Sequence, residues 1–198
     1  YGCGDPSQFL RAGETVLDLG SGGGKICFIA AQIVGPKGRV IGVDMNDDML
    51  AMARTASKTI GGKLGYEVTE FRKGKIQDLR VDRGQVEAFL REHPVKDAGS
   101  LEALESFTDE LRKHHPMIPD NSVDVVVSNC VLNLVDSNSK RELFHEIFRV
   151  LKRGGRAVIS DIVSDELVPL DMQNDPELWS GCISGAFQEA AFLQAFEE

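Results

Sequence analysis

Hydrophobic positions in the first 75 residues alternate between short continuous runs and longer stretches with an apolar side. The short runs predict strands, and the longer stretches predict helices. The predicted strands of this part are residues 16–19, Arg39–Asp44 and residues 68–73. Strands that alternate with helices at this spacing indicate right-handed crossovers, and therefore a parallel sheet.

Two helices are predicted between these strands. The stretch Lys25–Val34 is apolar enough to be a buried helix. The second helix begins after Asn46 or Asp47, either of which can cap it, and the pair Gly61-Gly62 is expected to end it.

The alternation of strands and helices stops between residues 80 and 119, a segment with many charges and no strand pattern. Amphipathic helices are predicted at residues 85–93 and 101–114, so this segment is interpreted as a helical insertion after the third strand. The alternation then resumes with a strand, a helix and a strand, at residues 122–128, 139–151 and 155–162. Residues 163–198 are predicted to form a helical segment on the substrate side.

These elements predict an α/β fold, a Rossmann-like, doubly wound and mostly parallel sheet. The length of 198 residues suits one domain over residues 1–198. Because the chain opens at Tyr1 and stops just after the predicted helix that carries Cys182, we expect that it is cut at both ends. A net charge of −9 without a basic cluster argues against nucleic acid as a partner. The apolar stretches are too short to span a membrane, so we expect a cytoplasmic protein without a membrane partner.

A glycine-rich turn, residues 20–24, joins the first predicted strand to the first helix. Such a turn lets backbone N–H groups approach a ligand at the positive end of a helix. The dinucleotide pattern fails because Lys25 stands at its third glycine, and the phosphate-loop pattern fails because Leu19 stands at its first. What remains is Asp18, two places before a Gly-x-Gly turn, together with Asp44 at the end of the second strand.

This arrangement resembles motif I of the class I S-adenosylmethionine-dependent methyltransferases. The resemblance implies that the turn passes the methionine part of the cofactor, and that the two oxygens of Asp44 hold the ribose hydroxyls. In the loop after the third strand, either Gln77 or Asp78 would accept the adenine amino group, while Asn129 either orients the cofactor or closes its strand. The implied cofactor-binding residues are Tyr1, Asp18, Gly20, Ser21, Gly22, Asp44, Met45, Ile76, Gln77 and Asn129.

The four cysteines are too few and too scattered for a disulfide scaffold, and they lack the spacing of a zinc site. Cys27 lies among apolar residues of the first helix, which indicates a structural role. Cys130 follows the fourth predicted strand, at the edge where ligands of a parallel sheet collect, and its position alone fits either the core or a ligand site. The motifs at residues 1–4, 128–135 and 178–186 together resemble arsenite methyltransferases.

This second resemblance implies a set of arsenic ligands. Cys130 and Cys182 would hold trivalent arsenic, Cys3 would be a further thiol near the cofactor, and Tyr1 would lie against the cofactor. Thiolates are soft ligands that suit arsenic, and three of them leave it a lone pair that can attack a methyl group. No general base is required, and no histidine stands at an obvious strand end.

The leading hypothesis is therefore the transfer of methyl groups from S-adenosylmethionine to thiolate-bound arsenic, with a thiol reductant such as glutathione or thioredoxin as a partner. One alternative is a C- or O-methyltransferase of another small molecule, such as a quinone, in which Cys130 and Cys182 are packing residues. Another is a non-catalytic binder of a metalloid or of S-adenosylmethionine, which would release no methylated product.

Overall fold

A sheet of five parallel strands carries the fold in the computed structural model, which describes residues 4–196. The strands are β1 (Thr15–Leu19), β2 (Arg39–Asp44), β3 (Thr69–Lys73), β4 (Val123–Asn129) and β5 (Leu151–Ser160). Their order across the sheet is β3-β2-β1-β4-β5, with parallel pairing throughout. The order reverses between β1 and β4, and such a switch point is where open α/β sheets bind their ligands.

Helices cover both faces of this sheet, because alternate residues of each strand point to opposite sides. On one side, Val16 packs with α1 (Lys25–Val34) and α2 (Asp47–Leu64). On the other side, Leu17 packs with α5 (Lys140–Val150). The predicted doubly wound α/β fold is therefore confirmed.

The second helix is longer than the sequence indicated. Its N-cap is Asn46, whose side-chain oxygen accepts hydrogen bonds from two backbone N–H groups of the first turn, at 3.0 and 3.1 Å. The prediction that Gly61-Gly62 ends it was wrong, because α2 continues to Leu64 and stops at Gly65. A glycine inside a helix costs only about 1 kcal/mol relative to alanine, which packing can offset.

None of the helices in residues 4–196 has the length and apolar character to cross a membrane.

The predicted insertion after the third strand is confirmed as two helices, α3 (Arg83–Glu92) and α4 (Ala98–His114). They share a small apolar core of their own, in which the ring of Phe89 stacks on that of Phe107 at 4.4 Å. Lys73, the last residue of β3, donates a hydrogen bond to Glu87 of α3 at 2.5 Å. The insertion therefore lies against the β3 edge of the sheet.

The segment after β5 combines short helices with a small separate sheet. Its helices are α6 (Leu170–Gln173), α7 (Pro176–Ser180) and α8 (Glu189–Gln194). The prediction of a helical segment missed β6 (Val163–Ser164) and β7 (Phe187–Gln188), which pair in parallel. Strands of two residues are too short to show an alternating pattern in the sequence. Phe187 packs edge-on against Phe144 of α5, which holds this segment, called here the tail, beside the main sheet.

One carboxyl group lies inside the core between β1 and α1. Asp18 is 2% exposed, and the thiol of Cys27 donates a hydrogen bond to its Oδ2, with 3.2 Å between the two atoms. Burial raises the pKa of Asp18 to about 7, the bond from Cys27 opposes this rise, and the charge of Asp44 adds to it. Cys27 is itself fully buried, and burial raises the pKa of its thiol as well. This placement agrees with the structural role expected for Cys27.

The buried carboxyl predicts a pH dependence of stability. Because the pKa of Asp18 is about 7 in the folded chain against an ordinary value of 3.8, the folded state keeps a proton that the unfolded state releases. The contribution of this group is therefore greatest below about pH 4, falls as the pH rises to about 7, and is constant above that. Urea denaturation across this interval should show the wild type losing stability relative to Asp18→Asn. Exposed Asp165 offers a matched control, Asp165→Asn, and a wild-type advantage that is independent of pH would contradict the prediction.

Candidate active site

A cleft of about 420 Å³ opens at the carboxyl edge of the sheet. Its walls come from the turn after β1, the end of β2, the loop after β3 and the segment after β4. Five of the predicted cofactor-binding residues line it, namely Gly20, Asp44, Met45, Ile76 and Gln77. The cleft therefore lies at the switch point of the sheet, where four separate strand ends meet.

The glycine turn forms one wall because its backbone lies very close to the segment after β4. Gly20 has a φ of 71°, and a Cβ added there would lie 2.4 Å from a methyl carbon of Val131. The N–H groups of Gly20 and Ser21 both donate to the carbonyl oxygen of Val43, at 2.9 and 3.1 Å. Ser21 itself is buried over Gly42 and does not line the cleft, so only its backbone is placed near a ligand.

Asp44 links the glycine turn to the start of α2. Its Oδ2 accepts the N–H of Gly22 at 2.8 Å, and its Oδ1 accepts the N–H of Asn46 at 2.9 Å. Each carboxylate oxygen has a further lone pair, so the group can still accept hydrogen bonds from a diol in the cleft. Met45 is 56% exposed beside it and supplies an apolar surface.

The loop after β3 separates the two candidates for an adenine contact. Gln77 lines the cleft, next to the largely buried Ile76. Asp78 is instead held by α4, because its Oδ2 accepts a hydrogen bond from Arg112 at 2.7 Å. The geometry therefore favours Gln77 over Asp78 as the side chain that faces a ligand.

Sequence reasoning missed several lining residues. They are Gly74, Lys75, Val131, Leu134, Val135 and Asp136. Four of them follow β4, where the chain turns through a 3-10 helix at Leu132–Leu134. Leu134 is 41% exposed, an unusual position for a leucine next to a buried strand. A strand end at a predicted switch point was the signal that could have found them.

Four predicted cofactor-binding residues do not line the cleft, namely Asp18, Ser21, Gly22 and Asn129. Asp18 is buried behind the glycine turn. The side-chain amide of Asn129 donates to the carbonyl oxygen of Gly4 at 2.7 Å, which ties the start of the described chain to β4. Tyr1 and Cys3 precede residue 4 and are not described.

The structure brings Cys130 and Cys182 together at the end of β4. Cys182 is a free thiol that is 8% exposed, and its Sγ donates to the carbonyl oxygen of Cys130 across 3.2 Å. Both residues have left-handed backbones, with φ values of 55° and 62°. Non-glycine residues rarely adopt this conformation, and those that do are concentrated at functional sites.

The thiol of Cys182 is held in its protonated form. Burial raises its pKa, and the negative charge of Asp161 raises it further. Within residues 4–196, no group of three or more histidine, cysteine, aspartate or glutamate residues is placed to hold a metal ion. Cys130, by contrast, is disulfide-bonded in the structure, so Cys182 is the one of the two that carries a free thiol.

Comparison with known proteins points to one family. A family model described as a methyltransferase domain matches residues 10–89 and 97–198. An arsenite methyltransferase from Halobacterium salinarum is 40% identical over 187 residues, which cover 93% of this chain and 37% of that protein. An arsenite methyltransferase from Aquipseudomonas alcaligenes is 35% identical over 186 residues, or 94% of this chain and 43% of that protein. The chain thus spans less than half the length of these curated relatives.

A solved structure agrees with the sequence comparison. The arsenic(III) S-adenosylmethionine methyltransferase from Chlamydomonas reinhardtii superimposes with a TM-score of 0.72 at 30% identity, covering 100% of this chain and 55% of that one. Both comparisons extend over nearly the whole described sheet and its cleft. The chain therefore belongs to the family of methyltransferase domains, with the class I fold whose cofactor is S-adenosylmethionine.

Proposed function

We propose that the chain binds S-adenosylmethionine in the cleft and methylates trivalent arsenic held by cysteine thiolates. The contact between Cys182 and Cys130 carries this proposal, because it brings together two cysteines from distant parts of the chain. The next residue after Cys130, Val131, lines the cleft. The relatives named arsenite methyltransferases support the same substrate.

The residues of the cleft fit the cofactor. Asp44 can accept the ribose hydroxyls, and the glycine turn leaves room for the methionine part. Ile76 and Val135 offer apolar surface to a flat base, with the amide of Gln77 beside them. When bound, S-adenosylmethionine supplies a methyl group on a positively charged sulfur. Asp44 and Asp136 both line the cleft and favour that charge.

The neutral thiol of Cys182 suits arsenous acid as a substrate. Each exchange of an As–OH group for an As–S bond joins the hydroxyl to the thiol proton and releases water. No proton is left over, so a raised pKa does not oppose binding and no general base is needed. Because Cys130 is disulfide-bonded in the structure, the thiol reductant has to reduce that bond first and leave as its own disulfide. Cys130 and Cys182, with Cys3 as the proposed third ligand, would then leave the arsenic lone pair free. Consistent with this chemistry, the lining of the cleft includes no histidine among the described residues.

Turnover requires a reductant. Methylation uses the arsenic lone pair, so the arsenic is formally oxidised by two electrons. We propose that a thiol such as glutathione or thioredoxin supplies those two electrons and leaves as a disulfide. The cytoplasm is the proposed compartment, because thiols are kept reduced there.

The cofactor site is tested with Asp44→Asn. This change removes the charge that orients the glycine turn and faces the cleft, so the dissociation constant for S-adenosylmethionine should rise about 10- to 100-fold, as expected for lost hydrogen bonds to a charged group. Isothermal titration calorimetry measures this directly. Asp48→Asn changes an exposed aspartate four residues away and should bind like the wild type. Equal affinities for all three proteins would contradict the assignment of the cleft.

The arsenic site is tested by incubating the protein with arsenite, a thiol reductant and methyl-labelled cofactor, and separating the arsenic species by chromatography with mass spectrometry. Cys130→Ser and Cys182→Ser should each lower the yield of methylarsenicals at least about 100-fold, because a hydroxyl is a poor ligand for a soft centre. Cys27→Ser is the matched control, since its hydroxyl can still donate to Asp18 inside the core.

The other outcomes of this assay separate the alternatives. Full activity in both serine variants would exclude the thiol site. Binding of arsenite and cofactor by the wild type without any methylated product would indicate a non-catalytic binder. Transfer of the label to a quinone, with none to arsenic, would indicate the C- or O-methyltransferase.

A further inference from the structure

A buried amide joins three parts of the chain beside Cys130 and Cys182. Asn133 is fully buried in the segment after β4. Its Nδ2 lies 2.9 Å from Oδ1 of Asp161, 2.7 Å from the carbonyl oxygen of Ile162 and 3.1 Å from that of Cys182. An amide has two N–H groups, so the three acceptors share them. Asn133 therefore holds the backbone of Cys182 in place through the carbonyl group of that residue.

Asp161 fixes Asn133 in turn. It follows the last residue of β5, and its Oδ2 accepts the N–H of Leu132 at 2.8 Å. Its Oδ1 also accepts the N–H of Ile162 at 2.8 Å, in addition to the amide of Asn133. The carboxylate thus holds the turn after β4 against the end of β5, with the amide pointing at the tail.

Direct contact of the tail with the same turn completes this arrangement. A Cβ on Gly185 would lie 1.9 Å from the carbonyl oxygen of Asn133, so only glycine lets the two backbones approach this closely. Lys140 donates to the carbonyl oxygen of Gly185 at 2.5 Å, and its ammonium lies 3.7 Å from the centre of the Phe187 ring. Cys182 is therefore held at its own carbonyl and again three residues later.

We propose that Asn133 and Asp161 are positioning residues, which place the Cys182 thiol against the end of β4 so that arsenic is bound next to the cofactor cleft. This inference rests on the proposed function. Neither side chain is among those that line the cleft, so they act through Cys182. The left-handed backbone of Cys182 persists only where its surroundings determine it, and the amide of Asn133 provides such a contact.

The pattern of hydrogen bonds favours placement over stability alone. Oδ1 of Asn133 is buried and has no hydrogen-bond partner among the described residues. An unpaired buried oxygen destabilises a fold, and that cost is offset here by the N–H groups of the same amide, which pair with acceptors of Asp161, Ile162 and Cys182. What an apolar residue could not supply is the N–H group that reaches the carbonyl of Cys182.

The test compares Asn133→Ala with Asn174→Ala. Both changes remove an amide that donates to a backbone carbonyl, but Asn174 is exposed and bonds Leu170 at 2.8 Å, away from Cys182. For Asn133→Ala, the KM for arsenite should rise about 10- to 100-fold, the usual effect of removing a group that orients a ligating residue. The dissociation constant for S-adenosylmethionine should stay within about twofold of the wild type, because the cofactor cleft is unchanged.

A second variant guards against a folding failure of Asn133→Ala. Asp161→Asn keeps the size of the side chain and one acceptor oxygen, and it should raise the KM for arsenite in the same direction by a smaller factor. Exposed Asp165 gives the matched control Asp165→Asn. Both residues act on Cys182 through the same hydrogen bond, from the amide of Asn133 to the carbonyl of Cys182. The double variant Asn133→Ala/Asp161→Asn should therefore raise the KM for arsenite by no more than the larger of the two single effects.

Trp179 provides a readout that needs no turnover. It is the single tryptophan of the chain, and its carbonyl oxygen accepts the N–H of Cys182 at 3.0 Å. Arsenite should change its fluorescence in the wild type, and the midpoint of that titration should move to higher arsenite in Asn133→Ala and Asp161→Asn. A general loss of stability would lower the melting temperature without moving this midpoint.

The outcomes distinguish this inference from the function on which it rests. If the wild type methylates arsenite and the variants keep its KM and its fluorescence midpoint, the positioning role is overturned and the function stands. If the wild type binds arsenite but makes no methylarsenical, the proposed methylation is wrong, and the midpoints alone decide the positioning role. If the wild type does not bind arsenite, both are overturned.

Discussion

Parallel pairing is the constraint on which the rest of the structure depends. When every strand runs the same way, all of their carboxyl ends meet at one edge of the sheet, however far apart they lie in the chain. The glycine turn after β1, Asp44 at the end of β2, Cys130 after β4 and Asp161 after β5 are brought together by this rule alone. The helices fill both faces and leave that edge open, so the edge is where a small molecule can enter.

The chemistry at this edge divides between two neighbouring environments. The cleft at the switch point is lined by two carboxylates and one lysine, a net negative charge that suits a positively charged ligand. Cys182 lies in more buried surroundings, where its neutral thiol is favoured over a thiolate. This division is consistent with a reaction whose acceptor arrives as a neutral oxyacid and whose donor arrives as a cation. Under the proposed function, the same division would let methyl transfer proceed without acid–base residues.

Much of the fold could be predicted from the sequence because it rests on local patterns. The strand Arg39–Asp44 and the helix Lys25–Val34 have the predicted bounds, since a buried parallel strand and a buried helix are both marked by apolar runs. The end of α2 could not be predicted, because Glu67 packs over Gly61 and tertiary contact outweighs the local preference of glycine. At the site, motif likeness pointed to Asp44 and Gln77, and both line the cleft. It could not show that Asp18 and Ser21 are buried behind the turn, or that the turn after β4 lines the cleft, since these depend on how separate segments pack.

The short turn after β4 belongs to both environments at once. Val131, Leu134 and Val135 form a wall of the cleft, while the carbonyl of Cys130 and the amide of Asn133 hold Cys182. Under the proposed function, the cofactor and the arsenic would contact this one stretch of backbone from two sides. If binding of one ligand orders the turn, the other ligand would bind without that free-energy cost. The factor by which each ligand changes the affinity for the other would then be the same in both directions.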